Sequence, residues 1–105
     1  MEITFAQKYL EELYDTGSTS DKKHRFQPQI VKRYIRVINT MRSVDSIDDL
    51  KRYNSLNYEK LIGDKKGVES VRVNDQYRIE FQSTEIEGEM VVTVCNILEL
   101  SNHYS

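Results

Sequence analysis

The sequence predicts an α+β domain: an N-terminal strand, two to three helices, then an antiparallel meander, with the helices packed on one sheet face. Three observations carry this. The segment opening at Pro28 places Ile30, Val31, Tyr34, Val37, Ile38 and Met41 along one helical stripe, opposite Lys32, Arg33, Arg36, Asn39 and Arg42. From residue 68 the period changes to two, and Val71, Val73, Tyr77, Ile79 and Phe81 alternate with Ser70, Arg72, Arg78, Glu80 and Gln82. The stretch 89–100 is nearly continuously apolar, as a central strand is. At 105 residues, without repeat or linker, the chain has the size of one domain spanning 1–105.

The elements follow in order. Residues 2–5 read as a strand, and 6–15 as a helix with Ala6, Leu10 and Leu13 inward, flanked by Tyr9 and Tyr14. Residues 16–26 are polar with glycine and serine, hence a loop. Pro28 sits where the first helical turn tolerates it. Ser46 followed by Asp49 resembles a capping box and opens a short helix over about 47–53, with Ile47 and Leu50 inward. The segment 54–67 is irregular, with a short strand near Tyr58–Ile62 and a turn at Gly63–Gly67. Glu85-Ile86-Glu87-Gly88 makes the last turn.

The hairpin register follows from the faces. A two-residue turn at Asn74-Asp75 pairs Arg72 with Tyr77 and Val71 with Arg78, mixing apolar with polar. A three-residue turn, Asn74-Asp75-Gln76, pairs Val73 with Tyr77, Arg72 with Arg78 and Val71 with Ile79, keeping one face apolar. It also sets two guanidiniums opposite each other, at a cost of up to about 1 kcal/mol unless something anionic intervenes. One reading is a phosphate clamp, which guanidinium forks suit. The other is neutralisation of the pair by Glu80 or Glu69.

Composition excludes several classes. The single cysteine, Cys95, permits no internal disulfide, and with only His24 and His103 beside it a Cys/His zinc site is excluded; no metal or cofactor is expected. No run approaches the roughly 18 apolar residues of a membrane span, and the acidic N-terminus lacks the order of a signal peptide, so a cytoplasmic protein is expected. The net charge of −2 conceals a basic middle, +7 over residues 22–78, between acidic ends of −4 and −5. Such a middle suits a polyanion such as nucleic acid; the competing reading is that opposite-sign segments pair with each other. His103, after an apolar strand, has a side chain suited to proton exchange near neutral pH, although taken alone it reads more readily as an incidental exposed tail residue. Tyr77 or Tyr104 offers a ring on which a base could stack, although core packing accounts for most tyrosines.

The run Lys60-Leu61-Ile62-Gly63-Asp64-Lys65-Lys66-Gly67, then Ser70-Val71-Arg72-Val73-Asn74-Asp75-Gln76-Tyr77-Arg78-Ile79-Glu80-Phe81, resembles the RelE/ParE superfamily of bacterial toxins, in particular the HigB type, also called plasmid-maintenance or killer protein. The capped helix at Ser46–Leu50, the element order and the histidine near the chain end fit the same pattern, over roughly residues 27–104. The resemblance implies a RelE-like fold and an mRNA interferase: a metal-independent endoribonuclease acting on messenger RNA in the ribosomal A site, silenced by a helix-turn-helix antitoxin. It implies attack of a ribose 2′-hydroxyl on the adjacent phosphate, leaving a 2′,3′-cyclic phosphate and a 5′-hydroxyl. His103 is then the general acid/base, Arg78 the transition-state clamp and Arg72 its assistant. Lys60, Lys65, Lys66, Gln76, Tyr77 and Tyr104 are the expected RNA contacts. The outer face of the 28–42 helix and the first helix are the expected antitoxin contacts. Two other readings stay open: a ParE-like protein that binds a topoisomerase and cuts nothing, and an inactive toxin acting only in a repressor complex with its antitoxin.

Overall fold

The architecture follows from where the apolar stripes meet. A computed structural model describes residues 1–102 of the chain. Strand β1 (Glu2–Phe5) leads into helix α1 (Lys8–Thr16), whose Tyr9, Leu10 and Leu13 are buried. Gly17 stops this helix in the left-handed region, φ 80°, and donates its N–H to the Leu13 carbonyl; a side chain there would be strained. Helix α2 (Pro28–Ser43) buries all six residues of the stripe read from the sequence. The buried Tyr34 hydroxyl donates to the Leu10 carbonyl at 2.8 Å, tying α2 to α1. Ser46 Oγ accepts the Asp49 N–H at 3.2 Å and caps α3 (Ile47–Leu50), shorter than the expected 47–53 because the chain passes into turns and a 3₁₀ segment at Asn54–Leu56.

The remaining strands are β2 (Glu59–Lys60), β3 (Glu69–Arg72), β4 (Tyr77–Ile86) and β5 (Val92–Asn102), in spatial order β1-β5-β4-β3-β2. Strands β2 to β5 are antiparallel, as expected of a meander. β1 instead runs parallel to β5, with Ile3 opposite Cys95, so the sheet is mixed. The β3–β4 register is the one deduced from the faces: Val71 opposite Ile79 and Arg72 opposite Arg78, with Val73 N–H bonded to the Tyr77 carbonyl at 2.9 Å. Between Glu80 and Phe81 the β4–β5 register slips by one residue at Leu98, a bulge that keeps both Ile97 and Leu100 on the core side.

The core lies between the helices and one sheet face, around Leu10, Leu13, Tyr34, Ile38, Phe81 and Ile97, each worth about 1.5–3 kcal/mol if fully buried. The opposite face, expected to be polar, is also partly enclosed. Residues 57–67 reach over it and hydrogen-bond to it, so Ser70, Arg78 and Glu80 are buried. Among the described residues no helix is long and apolar enough to cross a membrane.

Candidate active site

Strand alternation points Arg78 away from the core, and the 57–67 segment then encloses it. Its Nε donates to Ser70 Oγ at 3.0 Å and its Nη2 to the Asn57 carbonyl at 2.8 Å, while Glu59 Oε2 lies 3.9 Å away. A guanidinium has five N–H donors, and these two bonds fix its plane while leaving others for a ligand. Gly63, at φ 69°, starts the 3₁₀ turn Gly63–Lys65 that brings the half-exposed Lys65 side chain to Glu80. Lys65 Nζ donates to both Glu80 oxygens, at 2.9 and 2.8 Å. This hydrogen bond pushes the Lys65 ammonium above its ordinary range, so the group is cationic at neutral pH. Lys65, Ser70, Arg78 and Glu80 share a hollow of about 250 Å³ with Ser101 and Asn102, the end of β5. His103 and Tyr104 follow Asn102 in sequence and lie outside the described residues.

The other expected residues divide. Arg72 is level with Arg78 in the ladder, but its Nη2 pairs with Asp75 and its side chain lines a separate hollow with Arg33 and Arg36. The two guanidiniums therefore do not converge as one clamp. Backbone register fixes Cα positions only, and each long side chain takes the partner its own surroundings offer. Nor do Glu80 or Glu69 neutralise the pair: Asp75 and Glu59 stand nearest, Glu80 holds Lys65, and Glu69 is engaged elsewhere. Glu69 accepts from the Tyr58 hydroxyl at 2.6 Å and from Ser83 N at 2.7 Å. Burial, then the bond to Glu69, raises the Tyr58 hydroxyl far above its usual range.

Lys60 and Lys66 line a larger groove of about 850 Å³ between α3 and residues 59–68, which shares Leu61 with the Arg78 hollow. Gln76 is exposed in the hairpin turn, its N–H bonded to Asn74 Oδ1 at 2.9 Å. Tyr77 is half-buried, with its ring edge-on to Phe26 at 5.4 Å, so it braces the loop before α2. Sequence reading missed Ser70 and Asn57 as the supports of Arg78, and missed Arg33 and Arg36 as neighbours of Arg72. The polar face of the α2 stripe was the available signal for the last two. Among the described residues no group of three or more His, Cys, Asp or Glu side chains is placed to hold a metal ion.

Comparison with known proteins places the chain in a family. The family of HigB-like toxins, RelE-like toxins of type II toxin–antitoxin systems, matches residues 3–95, which include Arg72, Arg78 and the three lysines. The toxin HigB-1 of Vibrio cholerae serotype O1 is 34% identical over 83 residues, covering 78% of this chain and 83% of that protein. A YoeB/ParE toxin from Agrobacterium tumefaciens shares the fold, with a TM-score of 0.55 at 18% identity over 99% of this chain and all of that one. By sequence, and with a fold to match, the chain belongs to the HigB-like, RelE-like toxins of type II toxin–antitoxin systems.

Proposed function

We propose that this toxin is a ribosome-dependent mRNA endonuclease that cuts by attack of a ribose 2′-hydroxyl on the neighbouring phosphate, and that an antitoxin of helix-turn-helix type silences it. The observation that carries this reading is the convergence of Arg78 and Lys65 on one hollow at the end of β5. In the reaction the 2′-oxygen bonds to phosphorus and the bond from phosphorus to the 5′-oxygen breaks. The 2′-hydroxyl proton leaves to a base and the 5′-oxygen gains a proton. The products are a 2′,3′-cyclic phosphate and a 5′-hydroxyl. Negative charge grows on the phosphorane oxygens, and cations already fixed in place stabilise it without reorganising.

Arg78 is so fixed by Ser70 and Asn57, and Lys65 by Glu80. His103, next after Asn102, has the chemistry to move the protons. Arg72 assists from its neighbouring hollow. Lys60 and Lys66 hold phosphates along the adjoining groove, and Gln76, Tyr77 and Tyr104 contact the message near the turn and the chain end. A ribosomal substrate puts the activity in the cytoplasm. The test compares wild type with Arg78→Ala and His103→Ala on messages bound to ribosomes, with 5′-end mapping. Each variant is expected to cut about 10²–10³-fold more slowly while still binding antitoxin. Undiminished cutting by either variant refutes the mechanism, and a wild type that binds a topoisomerase and leaves messages intact refutes the nuclease.

A further inference from the structure

Three arginines line a second hollow of about 250 Å³. Arg33 and Arg36 come from successive turns of α2, and Arg72 from the end of β3. Their spacing of three residues puts Arg33 and Arg36 on one helix face. Among the described residues neither is in an ion pair; Arg72 is paired only with Asp75, whose side chain is 90% exposed and so displaceable. The buried side chains of Val37, Leu56 and Val73 line the same hollow, beside the Ser55 hydroxyl. At its edge Tyr53 is 45% exposed, a large ring outside the core. Like charges gathered in this way repel unless an anion lies among them.

We propose that this arginine hollow is a second phosphate subsite, gripping the RNA backbone a few nucleotides from the Arg78 cleft, with Tyr53 as a stacking platform for a base. The inference rests on the nuclease reading and names where its substrate is held. Three features favour RNA over an acidic protein segment. Guanidinium forks match phosphate oxygens two at a time. An exposed ring beside cations suits the π face of a base. Above all, Arg72 and Arg78 stand on one β3–β4 rung while lining separate hollows, so the two hollows open from neighbouring strands and one RNA strand can pass from cleft to hollow.

The experiment titrates the full chain against a short 2′-O-methyl RNA oligonucleotide, which cannot be cut, and follows affinity by fluorescence anisotropy across a series of salt concentrations. Single-stranded RNA gives a slope of about −0.7 in log affinity against log salt per phosphate neutralised, so the double variant R33A/R36A is expected to flatten the slope by about 1.4. R33K/R36K is expected to keep the slope yet bind several-fold more weakly, because lysine keeps the charge and loses the fork. K22A/K23A, on an exposed loop elsewhere, is expected to leave the slope nearly unchanged.

An unchanged slope in R33A/R36A overturns the subsite, while a loss confined to Arg78→Ala leaves the nuclease reading standing without it. Equal flattening by K22A/K23A overturns it in favour of diffuse charge. Loss of antitoxin binding in R33A/R36A with an unchanged RNA slope overturns it in favour of a protein partner. A wild type that does not hold the oligonucleotide at low salt overturns it outright.

Discussion

Replacing Arg78 by alanine removes a structural strut and a proposed catalytic cation together, and the two effects separate by magnitude. The side chain is 9% exposed and donates to a fully buried serine hydroxyl and to a backbone carbonyl. Hydrogen bonds from charged donors contribute about 1.5–3 kcal/mol each. Water entering at the surface side recovers part of that loss, so Arg78→Ala should destabilise by about 3 kcal/mol. Glu59, half exposed and 3.9 Å away, adds little because solvent screens it. Arg72→Ala breaks only the pair with Asp75, whose side chains are 42% and 90% exposed, and should cost less than about 1 kcal/mol. The difference of about 2 kcal/mol corresponds to roughly a 30-fold difference in the unfolding constant, readable in urea. Message cutting, measured where both variants are folded, should fall a further ~10²–10³-fold for Arg78→Ala and much less for Arg72→Ala. Equal urea midpoints for the two variants would refute the burial argument. A stability loss in Arg78→Ala without a loss of rate per folded molecule would leave Arg78 a strut and nothing more.

Two other outcomes follow from the core and its titrating groups. Tyr34→Phe removes the hydroxyl that joins α2 to the Leu10 carbonyl and should lower stability by about 1–2 kcal/mol in the same urea assay, with cutting unchanged. Burial pushes the Cys95 thiol up to about 11 from 9.0, and the Lys65 ammonium is also raised, chiefly by its bond to Glu80. Both groups hold their protons longer folded than unfolded. Their contribution is therefore intact below pH 9 and lost as pH climbs through the folded values, so urea midpoints should fall between about pH 9 and 11. At pH 8 Cys95, with no exposed surface, should react with a thiol reagent only after unfolding.

The backbone was more legible in the sequence than the side chains. Six apolar residues at helical spacing located α2, because burial of one stripe is what makes such a helix worth forming. The β3–β4 register was legible because a one-residue slip would turn Val71 and Ile79 to the wrong face. The parallel pairing of β1 with β5 was not, since the four residues Glu2–Phe5 name no partner. Nor was the burial of Arg78, Ser70 and Glu80: period two separates the faces but says nothing about what covers the second one. The covering segment, residues 57–67, has no periodicity, and it meets Arg78 and Glu80 through the Asn57 carbonyl, which accepts from Arg78, and the Lys65 ammonium, which donates to both Glu80 oxygens. For the same reason the opposed arginines were legible as a rung and not as two groups with separate partners.

The central claim is that the message is cut by its own 2′-hydroxyl, with Arg78 and Lys65 on the reacting phosphate. The most direct test is a ribosome-bound message carrying one 2′-deoxynucleotide on the 5′ side of the cut bond. Cutting at that bond should stop, while the all-ribose message yields a 2′,3′-cyclic phosphate and a 5′-hydroxyl. Continued cutting of the deoxy message at the same bond, or a 5′-phosphate on the downstream fragment, would contradict the account.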